Sequence, residues 1–306
     1  MIGVRYLLVI NPDAQLGISR RTQKRLIQLA EKFLGEGEVF IVGKNKKGWK
    51  STGFETIIFC GGDGTLSRGI QQIYPEQVKV GIVPLGSGRD FASSLGISKN
   101  PKIALSIIAK GKTKWVDLGR VNDYFFVNTV SFGFDAFINQ LQETKTRPKM
   151  KWMKWLKQQL FLPLDAKWCY LLAILYYLLG WDNFEPPEIK ITTKGFAFSG
   201  RVYLLTITNS FRYGGGLKIN PDAKVDDGVL DACLLPPLNK LEFFEKIYST
   251  YKGTHIFDPR IKTFQFEKMI IQSEKPLVCQ ADGETLTPSR LFEVEVVKRG
   301  LKVFVP

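Results

Sequence analysis

The first hundred residues alternate between short apolar runs and amphipathic stretches. Val4–Ile10, Glu38–Val42, Thr56–Cys60 and Val80–Val83 have the length and the apolar, largely β-branched content of strands. Residues 19–34 put Leu26, Leu29, Ala30 and Phe33 at helical spacing on an otherwise basic stretch. Further helices are predicted at about Thr65–Ile73, Asp90–Leu95 and Pro101–Lys110. Strand and helix in alternation predict βαβ units and a parallel sheet covered on both faces.

The pattern changes after Lys110. Trp115–Val121, Tyr124–Ser131, Glu188–Thr193, Gly200–Asn209, Val229–Leu235, Thr263–Gln272 and Arg290–Val297 read as strands separated by Gly and Pro turns. Two helical stretches interrupt them, Lys149–Trp181 in broken form and Lys240–Tyr251. The reading is an α/β nucleotide-binding domain over residues 1–112 and a mainly antiparallel β domain over 113–306. The last strand, Leu301–Pro306, is free to return to either one.

Candidate chemistry begins where Thr56–Cys60 ends, in Gly61-Gly62-Asp63-Gly64-Thr65. Glycines let the backbone approach a ligand closely. A helix starting at Thr65 would present unpaired N–H groups to phosphate. Asp63 would repel bare phosphate, so a bridging cation or a mobile proton is expected there. A second glycine turn, Pro84-Leu85-Gly86-Ser87-Gly88-Arg89-Asp90-Phe91, follows the next strand. The two turns should lie side by side at the C-terminal edge of the sheet, where open α/β sheets bind ligands. No Walker A loop competes: Gly111-Lys112-Thr113 has the right ending, but Ser106 stands where that pattern needs glycine.

Composition narrows the picture. The chain has 306 residues and is 44% apolar, enough for two domains and a sizeable core. Cys60, Cys169, Cys233 and Cys279 are scattered, which argues against a disulfide framework or zinc site. The single histidine, His255, excludes His-rich metal sites, disfavours a Ser-His-Asp triad, and is expected in a loop or on the surface. The N-terminus runs straight into a strand without a secretory signal, so a cytoplasmic location is expected. A formal charge of +14 implies an anionic partner: nucleotide, nucleic acid or acidic lipid.

One segment combines charge with aromatic residues. Residues 145–155 are rich in Lys, Arg and Trp, which suits contact with a membrane surface. The apolar run Trp168–Trp181 is too short to span a bilayer, which takes roughly 20 residues, and reads as a helix packed on the β domain.

Two acidic turns lie in the β domain, Asp226-Asp227-Gly228 and Asp282-Gly283-Glu284. Asp and Gly favour turns for backbone reasons alone. Phosphoryl transfer to an alcohol also needs a base for the hydroxyl proton and a divalent cation on the phosphates, and such turns fit both roles.

Six elements taken in order resemble the diacylglycerol kinase catalytic-domain family of lipid kinases, relatives of the sphingosine and ceramide kinases. They are Asn11-Pro12, Gly61-Gly62-Asp63-Gly64-Thr65, Pro84–Ala92, Gly133-Phe134-Asp135-Ala136, Asp226-Asp227-Gly228-Val229-Leu230-Asp231 and Asp282-Gly283-Glu284. The glycine-aspartate motif alone is shared with NAD kinases and phosphofructokinases; the joint occurrence is specific.

The resemblance implies an NAD kinase/phosphofructokinase-like α/β domain with a parallel sheet, joined to a C-terminal β sandwich carrying the lipid side. It implies ATP and Mg2+ as cofactors. ATP would be contacted by Asn11, Pro12, Ser87 and the turn Gly61, Gly62, Asp63, Gly64, Thr65, Leu66, Ser67 and Arg68. Glu284 would be the proton acceptor, with Asp282 the second choice, and Asp63 would handle catalytic magnesium and phosphate. A structural magnesium would sit on Asp227 and the backbone oxygens of Lys224 and Val229. The expected reaction is ATP-dependent phosphorylation of diacylglycerol, giving phosphatidic acid.

The expected partners are a membrane lipid and an anionic membrane surface rather than nucleic acid, with a homodimer left open. Two positions depart from the family pattern: Ser87 stands where threonine is usual, and Arg89 where asparagine is usual. The competing readings are a soluble-substrate kinase of the NAD-kinase type and a non-catalytic lipid or nucleotide sensor.

Overall fold

The computed structural model describes residues 5–14, 18–43, 48–86, 88–143 and 184–306. The first part runs β1 (Tyr6–Ile10), α1 (Arg20–Leu34), β2 (Glu38–Ile41), β3 (Thr56–Gly61), α2 (Asp63–Ile73), β4 (Lys79–Pro84), α3 (Asp90–Ser94) and α4 (Pro101–Lys110). The second runs β5 (Thr113–Val121), β6 (Tyr124–Phe126), β7 (Thr129–Gly133), α5 (Phe134–Glu143), β8 (Glu188–Thr193), β9 (Phe196–Arg201), β10 (Leu204–Thr208) and β11 (Leu230–Leu235). It closes with α6 (Lys240–Lys252), β12 (Lys262–Phe266), β13 (Lys268–Ala281) and β14 (Glu284–Phe304).

Local chemistry sets several helix ends. Ser19 accepts the Thr22 N–H and caps α1, and Asn100 with Pro101 starts α4. Asn239 and Glu242 form a reciprocal capping box on α6. α4 and α6 end in left-handed glycines, Gly111 and Gly253.

The first part is the parallel α/β unit its pattern predicts, with β2, β1, β3 and β4 side by side in parallel. The second part is antiparallel and folds round its own core as a sandwich. Val130, Phe132, Ile189, Leu205, Leu230, Met269, Phe292 and Val294 meet inside it. A third cluster, with Phe134, Tyr203, Phe243 and Ile247, fixes α5 and α6 on the sheet.

One strand joins the two parts. β14 pairs antiparallel with β13 and β5, then parallel with β4 through Lys302 and Val303. Its end thus returns to the first domain, where Leu301, Val303 and Phe304 enter the nucleotide-side core. Between Val297 and Leu301 the pairing with β5 shifts register, and Arg299 takes φ +52°. Asp117, buried on β5, holds that bulge: its carboxylate accepts the Arg299 N–H at 2.7 Å and the Gly228 N–H at 2.7 Å.

Several expectations are corrected. α2 starts at Asp63 rather than Thr65, because Gly62 takes the cap position and Asp63 suits the positive helix end. The predicted strand Tyr124–Ser131 is two strands, broken at Val127–Asn128 where the backbone turns to Asp282. Gly200–Asn209 breaks at Val202–Tyr203, and Thr263–Gln272 breaks at Glu267. α5 was not anticipated: it follows β7 with no residue between them, so the strand and helix patterns abut. His255 is neither in an open loop nor on the surface: it is buried in a 3-10 turn, with Nε2 2.8 Å from the Ile219 carbonyl. The predicted helical stretch Lys149–Trp181, the basic segment 145–155 and Cys169 lie outside the described residues. Among those residues, no helix is long and apolar enough to cross a membrane.

Asp117→Ala leaves two backbone N–H groups unbonded at the joint between the domains. It should cost about 2–4 kcal/mol, read as a lower urea midpoint at unchanged slope. An unchanged midpoint would show that the bulge holds without it.

Candidate active site

The first glycine turn is shaped by its neighbour as much as by any ligand. Asp63 N–H donates to the Gly88 carbonyl at 3.0 Å, and Leu85 N–H to the Gly61 carbonyl at 2.8 Å. A Cβ on Gly86 would lie 2.3 Å from the Gly62 Cα, and one on Gly62 would lie 2.9 Å from the Gly88 oxygen. These glycines therefore permit the two turns to touch. Gly64 differs: a Cβ there would meet nothing closer than the Arg68 guanidinium at 4.0 Å. With no side-chain cap on α2, this open backbone at a helix N-terminus suits an anion.

Asn11 closes one side of the turn. Its amide donates to Thr65 Oγ1 at 2.9 Å, and its Oδ1 accepts the Asp13 N–H across Pro12. Leu66 and Ser67 face inward: Leu66 packs in the first core, and Ser67 Oγ lies 3.4 Å from the Tyr124 hydroxyl. Neither side chain lines an open nucleotide surface, whereas Arg68 is exposed. Ser87 lies outside the described residues.

The expected catalytic acids converge from both domains. Asp63 accepts the Asp90 N–H on Oδ2 at 2.8 Å and the Phe91 N–H on Oδ1 at 3.4 Å, so its carboxyl fastens the second glycine turn. Burial, with the nearby Asp90 and Asp282 charges, pushes Asp63 up to about 7 despite those bonds.

Asp282 and Gly283 form the tight turn between β13 and β14, both at positive φ (+47° and +87°). The Asp282 carboxylate accepts three backbone N–H groups, from Val127 at 2.7 Å, Asn128 at 2.9 Å and Thr129 at 3.0 Å. Burial raises this carboxyl and the three donors pull it back. Its acceptor capacity is committed to the fold.

Glu284 is half exposed and meets Arg68 of α2 at 3.4 Å across the domain junction. Tyr124 marks the point where these groups meet. Burial raises its hydroxyl, Ser67 opposes, Asp282 and Glu284 add to the rise, and Arg68 lowers it.

A layer behind the turn was only partly legible. Ser131 Oγ and Gln280 Nε2 both donate to Asp135 Oδ2 at 2.6 Å, and Gln280 Oε1 accepts the Gly283 N–H at 2.9 Å. Asn139 on α5 donates to the Gly283 carbonyl at 2.9 Å. Asp135 belongs to the motif Gly133-Phe134-Asp135-Ala136, whereas Gln280, Asn139 and Tyr124 carry no local signal.

The other acidic turn divides its residues. Asp226 pairs with Lys114 at 2.8 Å, and Asp227 is exposed, with Oδ1 3.4 Å from the Val229 N–H. Asp231 is buried, with Oδ2 unbonded among the described residues. Burial and the Asp227 and Asp222 charges raise it to about 6 against a Gln265 hydrogen bond. An unbonded buried carboxylate oxygen among like charges fits a cation nearby. Among the described residues, no three His, Cys, Asp or Glu side chains form a metal cluster. A Lys224–Asp227–Val229 set would therefore rest on backbone oxygens.

The chain matches the family model "Diacylglycerol kinase catalytic domain" over residues 5–121 and "YegS C-terminal NAD kinase beta sandwich-like domain" over 128–305. It is 28% identical to a diacylglycerol kinase of Bacillus subtilis, over 76% of this chain and 71% of that one. A diacylglycerol kinase of Mycobacterium tuberculosis is 26% identical, over 83% and 78% respectively. In fold, the chain superposes on the crystal structure of a diacylglycerol kinase from Bacillus anthracis with TM-score 0.74 at 19% identity, covering 100% of this chain and 98% of that one. An NAD kinase from Archaeoglobus fulgidus, solved in complex with ATP, gives TM-score 0.54 at 13% identity, covering 98% and 93%.

The raised Asp63 makes a pH prediction. The folded chain keeps that proton to about pH 7, the unfolded chain only to roughly pH 4. The folded state then holds more protons across this window, so stability falls as pH rises through it. Asp90, Asp231 and Asp282, also raised by burial, act in the same direction. Thermal melts of the ligand-free protein should show Asp63→Asn gaining relative to wild type between pH 4 and 7. A constant difference across that range would refute the assignment.

Proposed function

This chain belongs to the diacylglycerol kinase catalytic-domain family and is a lipid kinase, and we propose that it transfers the γ-phosphoryl of ATP to the free hydroxyl of diacylglycerol, giving phosphatidic acid. The observation that carries this reading is the meeting of Arg68 and Glu284 over the glycine turn. It brings the phosphate-binding helix end and one half-exposed carboxylate into the same cleft. ATP use is supported by the open Gly64 backbone and by the ATP bound in the NAD kinase of similar fold.

In this reading Glu284 accepts the acceptor hydroxyl proton as the phosphoryl moves, since Asp282 is occupied by three N–H donors. Asp282 is a positioning residue that fixes the turn carrying Glu284. Arg68 holds the Glu284 carboxylate in place and offers positive charge to the phosphates. Asp63 locks the second turn against the first and, with its proton lost, offers negative charge toward a cation.

Bound magnesium would neutralise charge on the transferring phosphates, and Asp63 is the first-domain residue proposed to serve it. Asp227, with the Lys224 and Val229 carbonyls, is proposed for a second, structural ion. The protein is proposed to meet the anionic membrane peripherally, an approach that its +14 charge supports.

Labelled ATP, magnesium and mixed micelles carrying diacylglycerol, phosphatidylglycerol or a sphingoid base test the proposal. Labelled phosphatidic acid is expected; labelling of another lipid, or of NAD without lipid, would replace the acceptor. Glu284→Gln should lower turnover roughly 10²–10⁴-fold with little change in melting temperature. Asp282→Asn should lower both, because one oxygen cannot serve three N–H groups.

A further inference from the structure

Beside the second glycine turn, at Asp90, lies the loop of the second domain that carries Arg212. Arg212, in the loop between β10 and β11, stacks over the Phe211 ring at 5.1 Å. Its Nε–H is buried and has no acceptor among the described residues. Leaving such a donor unbonded is unfavourable, so an oxygen arriving with a ligand would relieve it.

The loop is anchored to the first domain at this point. Gly215 N–H donates to Asp90 Oδ2 at 2.9 Å, and Asp90 N–H donates to Asp63 Oδ2 at 2.8 Å. Gly214, Gly215 and Gly216 all have positive φ, from +60° to +106°, and a Cβ on Gly216 would meet open space. The loop that carries Arg212 is therefore open at Gly216.

A second cation directly precedes Asp90 in the chain. Arg89 is half-buried at the cap of α3. The Gly215–Asp90 bond brings the loop that carries Arg212 against the start of α3, where Arg89 directly precedes Asp90; burial raises the Asp90 carboxyl, while the Gly215 N–H, Arg212 and Arg89 lower it. A single carboxylate can offset only one of the two arginines. Guanidinium forks match paired phosphate oxygens, and two beside a phosphate-type turn leave room for one more anion.

We propose that Arg89 and Arg212 form a phosphoryl-binding subsite on the Asp90 side of the cleft. Its ligand is a phosphate group reaching the cleft, either the terminal phosphoryl of the nucleotide or the phosphodiester headgroup of an acidic membrane lipid lying beside the diacylglycerol acceptor. The assignment rests on the lipid-kinase reading and extends it to residues that reading leaves unused.

Two equilibrium measurements read the subsite without turnover. One is calorimetric titration with inorganic tripolyphosphate. The other is co-sedimentation with phosphatidylcholine vesicles containing phosphatidylglycerol. Arg25→Gln, on the exposed face of α1, removes the same charge elsewhere and serves as reference.

Tripolyphosphate binding about tenfold weaker in Arg212→Gln, and weaker in Arg89→Asn than in the reference, supports the subsite and assigns it to the nucleotide. Loss of phosphatidylglycerol-dependent sedimentation with tripolyphosphate binding intact supports it and assigns the lipid headgroup. Both bindings matching the reference would overturn it. If Arg212→Gln melts too low to use, Arg89→Asn decides by the same criteria. A wild type that phosphorylates no lipid would defeat the proposed function, while these binding measurements still judge the arginines.

Discussion

The hydrogen-bonded run of β14 is the constraint on which the rest of the molecule depends. It starts at Glu284 in the candidate site and ends at Phe304 in the nucleotide-side core. Pairing with β13 and β5 on one stretch and with β4 on another makes one main chain a shared edge of both domains. The distance between the glycine turn and Glu284 is thus set by backbone geometry rather than by a loose linker. Asp117 secures that strand at the bulge at Arg299, and the same carboxylate holds the Asp226–Gly228 turn.

A single device recurs through the site. Asp63, Asp117 and Asp282 each spend their carboxylate on backbone N–H groups from distant parts of the chain. Each joins segments that the sequence leaves far apart. The same commitment separates residues that look alike: Asp282 is enclosed by donors, while Glu284, two residues on, faces the cleft beside Arg68. Burial makes Asp63 and Asp282 costly to ionise, and the N–H donors offset only part of that cost.

Much of the fold was legible because local pattern and tertiary demand agree in the first domain. The buried parallel strands are continuous apolar runs, and helices such as α1 carry one apolar stripe. The second domain was harder. Its long strands β13 and β14 contain exposed polar stretches and bulges, so only their most apolar segments stood out. α5 was hidden because it abuts β7 with no residue between them. His255 was misplaced because an imidazole is mild enough to bury once a carbonyl receives it.

The sequence by itself determined the strand–helix alternation of the first domain, the glycine turns at the ends of β3 and β4, and the inventory of acids. These follow from residue type and spacing, since steric freedom and charge are local properties. Tertiary structure alone decided which glycines serve packing and which open to a ligand, which carboxylates are occupied, and which cations stand beside Asp90. The physical reason is that a carboxylate's role depends on donors brought from up to 182 residues away, as for Asp117 and Arg299. No local pattern encodes which N–H group will arrive.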